Sequence, residues 1–143
     1  MQLRITYITL ICAMAGLSFS CNKSEPLTTP QDIIAGKWRL VATATDDNNN
    51  KVLDAAELRT ADPKDIVTYS FHFGGQGVEE QNYYGVITDY YYTWQILGNS
   101  QYLQRFMEGH DTITQKILTF SPNNTTLLDT TGLVYAWYVL KKY

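Results

Sequence analysis

The feature that most constrains the fold is a series of short runs, beginning at residue 36, in which apolar side chains occupy every second position. The first two runs are "GKWRLVATAT" (36–45) and "VTYSFHF" (67–73). Their apolar faces consist of Trp38, Leu40, Ala42 and Ala44 in the first run and of Val67, Tyr69, Phe71 and Phe73 in the second. This alternation predicts strands with one buried face and one face exposed to water.

Six further short runs follow, in a part of the chain that is rich in Tyr, Thr, Val, Ile and Trp, and they are separated by Gly, Asn, Asp and Pro. The predicted strands are 36–45, 67–73, 78–87, 89–97, 101–109, 111–120, 125–130 and 132–143. Evenly spaced strands joined by tight turns predict an all-β, antiparallel up-and-down barrel of about eight strands, because closing the sheet removes its exposed edges. "PQDIIAG" (30–36) predicts a single helical turn before the first strand.

The N-terminal segment 1–20 has the pattern of a secretory signal: one early cation, an apolar run and small residues before Cys21. It resembles a bacterial lipoprotein signal, which implies cleavage before Cys21 and acylation of that residue. An ordinary signal peptide and an uncleaved anchor are the alternatives. The resemblance implies a lipid anchor in the outer membrane of a bacterial cell envelope, on its periplasmic or its surface side. Residues 21–32 are polar with two prolines and predict a tether to a single domain at 33–143.

Composition excludes several classes of function. The chain has 14 acidic residues against 11 Lys and Arg, with a formal net charge of −3, and we expect no nucleic-acid partner. The two histidines, His72 and His110, are isolated from each other, so no transition-metal site is expected. The sequence also lacks a nucleophile motif and a Gly-rich phosphate loop, and it predicts a protein that is not an enzyme.

One polar loop, "DDNNNKVLDAAE" (46–57), has the spacing of a twelve-position calcium loop. The predicted oxygen ligands are the side chains of Asp46, Asn48, Asn50, Asp54 and Glu57 and the backbone carbonyl of Val52. Lys51 stands where such a loop needs glycine, and Leu53 stands where it usually buries an apolar residue. The alternative is a solvated Asn/Asp-rich connection that binds no ion.

"GKW" at the start of the first strand, Trp94 in the middle of the chain and "YVLKK" in the last strand resemble the lipocalin-like domain of small Bacteroidetes-type lipoproteins. The resemblance covers about residues 33–143. It implies that Trp38 closes the bottom of the barrel beneath a basic side chain, Lys141 or Lys142. Gly36, Trp38 and Lys141 are therefore expected to have structural roles.

Two functions remain open from the sequence. An eight-stranded barrel either fills its interior with side chains or holds one small ligand. The first function is the binding of a small hydrophobic ligand, with candidate residues Tyr69, Phe71, Tyr90, Tyr92 and Trp94. The second is a protein or glycan interaction module of the envelope, with a packed interior and with the Tyr-rich hairpin at 83–92 as its contact surface.

Overall fold

In the computed structural model, which describes residues 29–99, 101–109, 112–132 and 134–143, the chain forms one short helix and an antiparallel sheet. The elements are α1 (Pro30–Ile34), β1 (Gly36–Thr45), β2 (Arg59–Thr60), β3 (Asp65–Phe71), β4 (Gln76–Tyr83), β5 (Val86–Leu97), β6 (Tyr102–Met107), β7 (Thr112–Phe120), β8 (Asn124–Asp129) and β9 (Ala136–Lys142). Cys21, the predicted signal and most of the predicted tether lie outside the described residues. α1 starts at Pro30, inside the last residues of that tether.

Each strand from β3 to β9 pairs with its neighbour in the chain, and β1 pairs with both β3 and β9. This closes an eight-stranded antiparallel barrel, so the predicted fold is confirmed. β2 has two residues and pairs with the second half of β1, beside β3. Within the described residues, no helix is long and apolar enough to cross a membrane.

The barrel has two different ends. At the closed end, α1 lies against Trp38, whose indole nitrogen donates a hydrogen bond to the carbonyl of Ile34. A capping box starts α1: the Thr29 side chain accepts from the Asp32 amide, and the Asp32 carboxylate accepts from the Thr29 amide. The loop at 46–58 and the turn between β4 and β5 lie at the opposite end, which we call the open end.

Several predicted strand limits are wrong: the last strand, for example, begins at Ala136 and not at 132. Two of the errors occur at turns and change which residues are paired or buried. The run 78–87 is divided at Tyr84 and Gly85, whose φ angles are 51° and 91°. Two positive φ angles make a two-residue turn that matches the strand twist, so Tyr83 pairs directly with Val86. The run 67–73 ends at Phe71 because the turn at Gly74 follows at once, and this leaves Phe73 72% exposed instead of buried.

A β-bulge in β1 divides the apolar face that the sequence predicts. Leu40 lies opposite Leu140, whereas Ala42 lies opposite Val139, so β1 contains one extra residue at this point. Ala44 consequently shares a face with Trp137. Leu140 points into the central core, so Trp137, three residues earlier on the same strand, points to the opposite face. Ala42 and Ala44 face the same way as Trp137, and they are therefore buried on the outer side of the barrel and not inside it.

The closed end has the basic side chain that the resemblance implies, but it is Lys142 and not Lys141. The Lys142 ammonium lies 5.3 Å from the Trp38 ring centroid and donates to the carbonyl of Ile33 at 3.2 Å. Lys141 points outward and is exposed. Gly36 has φ +123°, and a Cβ there would lie 2.9 Å from the Lys142 side chain. Its predicted structural role follows from both observations.

Candidate functional site

The closed half of the barrel interior is filled by apolar side chains. Trp38, Leu103 and Leu140 are at most 1% exposed, and the Phe71 ring lies 5.4 Å from the Trp94 ring and 5.7 Å from the Tyr92 ring, edge to face in both cases. Aromatic pairs at this separation are favourable. The described side chains therefore pack this half of the interior tightly.

The open half contains a cavity of about 360 Å³. Its lining consists of Leu40, Val67, Tyr69, Glu79, Gln81, Arg105, Met107, Ile113, Gln115, Asp129 and Tyr138. Ligand pockets in proteins start at about 300 Å³, so this cavity fits a small molecule. Aliphatic side chains and a group of polar side chains both contribute to its wall.

Arg105 is the central polar residue of the cavity and is 5% exposed. Its Nη1 donates to Glu79 Oε2 at 2.8 Å, and its Nη2 lies 3.4 Å from Gln115 Oε1. The guanidinium carbon lies 4.9 Å from the Tyr69 ring centroid and 5.5 Å from that of Tyr92. An ion pair, an amide and two aromatic rings thus fix the guanidinium between the filled half and the cavity.

One hydrogen-bond donor at this position is left over. Arg105 Nε is buried and has no hydrogen-bond partner among the described residues, whereas Glu79 Oε1 accepts from Gln81 Nε2 at 2.8 Å. A buried donor without a partner is costly, and such groups call for an explanation. An acceptor atom brought by a ligand would satisfy Nε.

The charges in the cavity favour an uncharged ligand. Arg105 and Glu79 neutralise each other, and the remaining ionisable acid in the lining is Asp129. An anionic ligand would therefore face two carboxylates and one guanidinium. Burial raises the pKa of Tyr69 and of Tyr92, and the Glu79 carboxylate raises both further against the opposing effect of Arg105. Both phenols are therefore neutral at physiological pH.

The five predicted ligand residues lie in different parts of the barrel. Tyr69 lines the cavity, and Tyr92 lies against Arg105 and donates from its hydroxyl to the carbonyl of Ser70 at 3.0 Å. Phe71 and Trp94 belong to the filled half. Tyr90 lies opposite Glu79 in the strand register but is not part of the cavity lining.

Sequence reasoning missed the polar group, because it assigned no role to Arg105 or Gln115 and did not pair Glu79 with a cation. The signal was present in "YLQRFM": Arg105 lies at the same parity as Leu103 and Met107, on a face that is otherwise apolar. Glu79 gives no such signal, because the other residues on its face of β4 are Gly77, Gln81 and Tyr83. A cation on an otherwise apolar inward face is a sign of a buried ion pair, but it does not identify the partner.

The loop at 46–57 brings the predicted calcium ligands into one hydrogen-bonded unit. Asp46 accepts from the amides of Asn50 and Lys51 at 2.9 Å, and the amide groups of Asn48 and Asn50 both donate to Asp54 Oδ2, at 2.9 and 2.8 Å. Lys51 adopts φ 62°, the left-handed conformation that the tight turn needs. The loop thus closes through its own hydrogen bonds.

Other details of this loop differ from the calcium pattern. Glu57 Oε1 accepts from the amides of Asp47 and Asn48 at 3.1 and 3.3 Å, while its Oε2 is buried without a partner. Val52 and Leu53 are 55% and 37% exposed, so Leu53 is not buried as expected. Among the described residues, no group of three or more His, Cys, Asp and Glu side chains is arranged to hold a metal ion.

The Tyr-rich hairpin presents an exposed apolar tip. Tyr83, Tyr84, Val86 and Ile87 are each at least 60% exposed, and the rings of Tyr83 and Tyr84 lie 4.7 Å apart, edge to face. On the outer face of the same sheet, a groove of about 610 Å³ runs past Tyr91. The barrel therefore also has an external aromatic surface.

Comparison with solved structures supports the architecture. The chain is similar to a lipocalin-like protein from Bacteroides uniformis, with a TM-score of 0.59 and 16% identity over 78% of this chain and 99% of that one. It is also similar to an uncharacterized protein from Bacteroides eggerthii, with a TM-score of 0.56 and 14% identity over 76% of this chain and 98% of that one. No protein-family model and no curated protein sequence matches the chain. The protein has a lipocalin-like fold.

Proposed function

We propose that the protein is a lipid-anchored, non-enzymatic lipoprotein of a bacterial outer membrane whose barrel binds one small ligand in its open half. The observation that carries the proposal is the cavity of about 360 Å³ lined by Arg105, whose buried Nε has no hydrogen-bond partner among the described residues. The predicted acylation of Cys21 supplies the anchor, and several buried CH₂ groups at about 0.8 kcal/mol each hold it in the membrane.

The ligand that suits this cavity is a small, uncharged molecule with an apolar body and one hydrogen-bond acceptor. The acceptor would pair with Arg105 Nε, and the body would lie against Met107 and Ile113. A carboxylate suits the site less well than a ketone or an amide, because Glu79 already neutralises Arg105.

Native mass spectrometry of the protein purified gently from its own host tests this function. We expect an added organic mass, and we expect the Ile113→Phe variant to lose it because the larger side chain fills the cavity. The matched control is Leu118→Phe on the same strand, since Leu118 is exposed. A neutral naphthyl ketone serves as a probe, which the natural chain should bind and the Ile113→Phe variant should exclude. The proposal would be contradicted by a bare polypeptide mass together with no binding of this probe.

Calcium binding by the 46–57 loop stays a prediction. The left-handed Lys51 and the unpartnered Glu57 Oε2 are compatible with it, and the internal hydrogen bonds are compatible with the plain polar loop. If calcium binds, it stiffens the loop and raises the melting temperature, and Glu57→Gln abolishes that rise. An equal rise in the Glu57→Gln variant would exclude Glu57 as a ligand.

A second function, a protein or glycan interaction module, is favoured by the exposed hairpin tip. Its test is binding of the protein to isolated envelope fractions, compared between the natural chain and a Val86→Thr, Ile87→Thr variant. We expect the variant to lose binding if the tip is the contact. Tyr84→Asn is a second variant, because asparagine tolerates the positive φ at this position. Equal binding by the natural chain and both variants would exclude the tip.

A further inference from the structure

The charged residues are distributed unevenly between the two ends of the barrel. Acidic residues predominate at the open end, although Lys51, Arg59 and Lys64 lie there too. The acids at or near this end include Asp47, Asp54, Asp62, Asp65, Asp89, Glu108 and Asp129. The closed end carries cations on β1 and β9. Of the acidic side chains near them, Asp32 is engaged in the capping box of α1 and Glu80 pairs with Lys37 at 3.9 Å. The barrel therefore has a positive closed end and a negative open end.

Strand pairing forces two of these cations together. Arg39 and Lys141 are direct partners in the β1–β9 ladder, and both point outward, because their neighbours Leu40 and Leu140 point inward. Like charges directly opposite each other destabilise a sheet. Within the described part of the chain, neither side chain forms an ion pair or a hydrogen bond. An anion lying between them would remove this repulsion.

A groove beside this pair has room for such an anion. It has a volume of about 480 Å³ and includes Arg39, Lys141 and Lys142 in its wall, and none of the described residues that line it is Asp or Glu. Lys37 lies on the same outer face of β1, 3.9 Å from Glu80, with its ammonium 5.7 Å from the Tyr143 ring. We call Lys37, Arg39 and Lys141 the basic face.

The basic face lies where the chain enters the barrel. Lys142 donates a hydrogen bond to the carbonyl of Ile33, so α1 and the end of β9 are in contact, and Thr29, the first described residue, lies at this end. A fully extended chain spans at most about 3.5 Å per residue, so the segment from Cys21 to Thr29 reaches no more than about 30 Å. A membrane anchor at Cys21 would therefore hold the basic face close to the lipid surface.

We propose that the basic face docks on the phosphate groups of anionic phospholipids and so directs the open end of the barrel away from the membrane. The docking rests on the proposed lipid anchor, and the groove between Arg39 and Lys141 receives a headgroup phosphate. Arginine and lysine are the side chains that pair best with phosphate oxygens. The interaction weakens as salt is added, since it joins exposed charges.

The test uses the mature chain from residue 21 with Cys21→Ser, which carries no acyl group and keeps every core residue. Co-sedimentation is measured with vesicles of phosphatidylcholine and with vesicles in which one third of the lipid is phosphatidylglycerol. We expect at least tenfold more protein on the anionic vesicles at low salt, and we expect the Arg39→Gln, Lys141→Gln variant to lose most of that binding. The control, Lys64→Gln, Lys116→Gln, removes the same charge from exposed sites elsewhere.

Orientation is measured with a polarity-sensitive dye on one introduced cysteine. Asn123→Cys places it in the exposed β7–β8 turn at the closed end, and Val52→Cys places it at the open end. We expect the first dye alone to respond to anionic vesicles. The proposal would be overturned by a dye response at Val52 alone, by equal binding to both kinds of vesicle, or by an equal loss of binding in the control variant. It would also be overturned if the protein bound inorganic phosphate but no vesicles. None of these results affects the cavity test, because that test measures a bound mass.

Discussion

The closed and open halves of the barrel interior hold different kinds of residue. In the closed half, Trp38, Phe71 and Leu140 belong to one tightly packed apolar cluster. In the open half, the Arg105–Glu79 pair and Gln115 lie beside a cavity. The difference indicates that apolar packing in the closed half supplies most of the stability. In the open half, a polar site and a cavity take the place of tight apolar packing. Four predictions, in decreasing order of effect, test this division.

The largest effect is expected in the closed half. Trp38→Ala should lower the free energy of unfolding by about 3–5 kcal/mol, because it leaves a large cavity in a tightly packed region and removes the hydrogen bond to Ile34. Urea unfolding followed by circular dichroism measures it. Trp38→Phe, which retains a ring, should lose clearly less. A loss below about 1 kcal/mol for Trp38→Ala would mean that the closed half does not dominate stability.

The next effect is expected in the open half. Glu79→Gln should cost about 3 kcal/mol, because it leaves the Arg105 guanidinium buried without an anion. The double variant Glu79→Leu, Arg105→Met should be close to the natural stability, because it removes both charges and fills the space. A double variant as unstable as Glu79→Gln would show that the pair itself stabilises the barrel. Ligand binding should be lost in both variants.

The third effect depends on pH. Burial raises the pKa of Tyr69 and Tyr92 in the folded state, so the folded protein keeps both protons above the ordinary tyrosine pKa of about 10, while the unfolded chain loses them. Their contribution to stability is complete below that pH and falls as pH rises, by about 1.4 kcal/mol per pH unit for each ring. Unfolding from about pH 9 to about pH 11 measures this slope.

The matched variants for this slope are Tyr69→Phe and Tyr91→Phe. Tyr69→Phe should reduce the alkaline loss of stability, whereas Tyr91→Phe should not, because Tyr91 is 67% exposed. An identical slope in the natural chain and both variants would mean that the boundary between the two halves is open to water.

The smallest effect concerns Lys142 at the closed end. Lys142→Met should cost about 1 kcal/mol, since it removes the cation above the Trp38 ring and the hydrogen bond to Ile33 but keeps an unbranched side chain. Lys141→Met is the control and should change stability by less than about 0.5 kcal/mol, because its side chain is exposed. Equal losses in the two variants would mean that the contacts of Lys142 with Trp38 and Ile33 do not stabilise the closed end.

The sequence predicts the closed half better than the open half. Alternation marks Trp38, Tyr69 and Phe71 as inward-facing, and the number of strands and the closure of the barrel follow from regular turn spacing. The bulge after Leu40 was not predictable, because the one extra residue leaves the apparent alternation of β1 intact.

The site in the open half escapes pattern reasoning for a physical reason. A buried Arg105 and a buried Glu79 are stable only together, and their meeting depends on the register between strands that are not adjacent in the sheet. Residue patterns within one strand do not contain that register. The same limit applies to Arg39 and Lys141, which only the pairing of the first and last barrel strands brings together.

The pairing of β1 with β9 also affects how the chain acquires its structure. Trp38 and Lys142 are partners with nearly the whole described chain between them, so the barrel is completed only when its last strand is available. Contacts of such long sequence separation slow folding. Until then, the edges of β1 and β8 are unpaired and able to join other chains. A chain cut short before β9 should therefore aggregate instead of forming a smaller barrel.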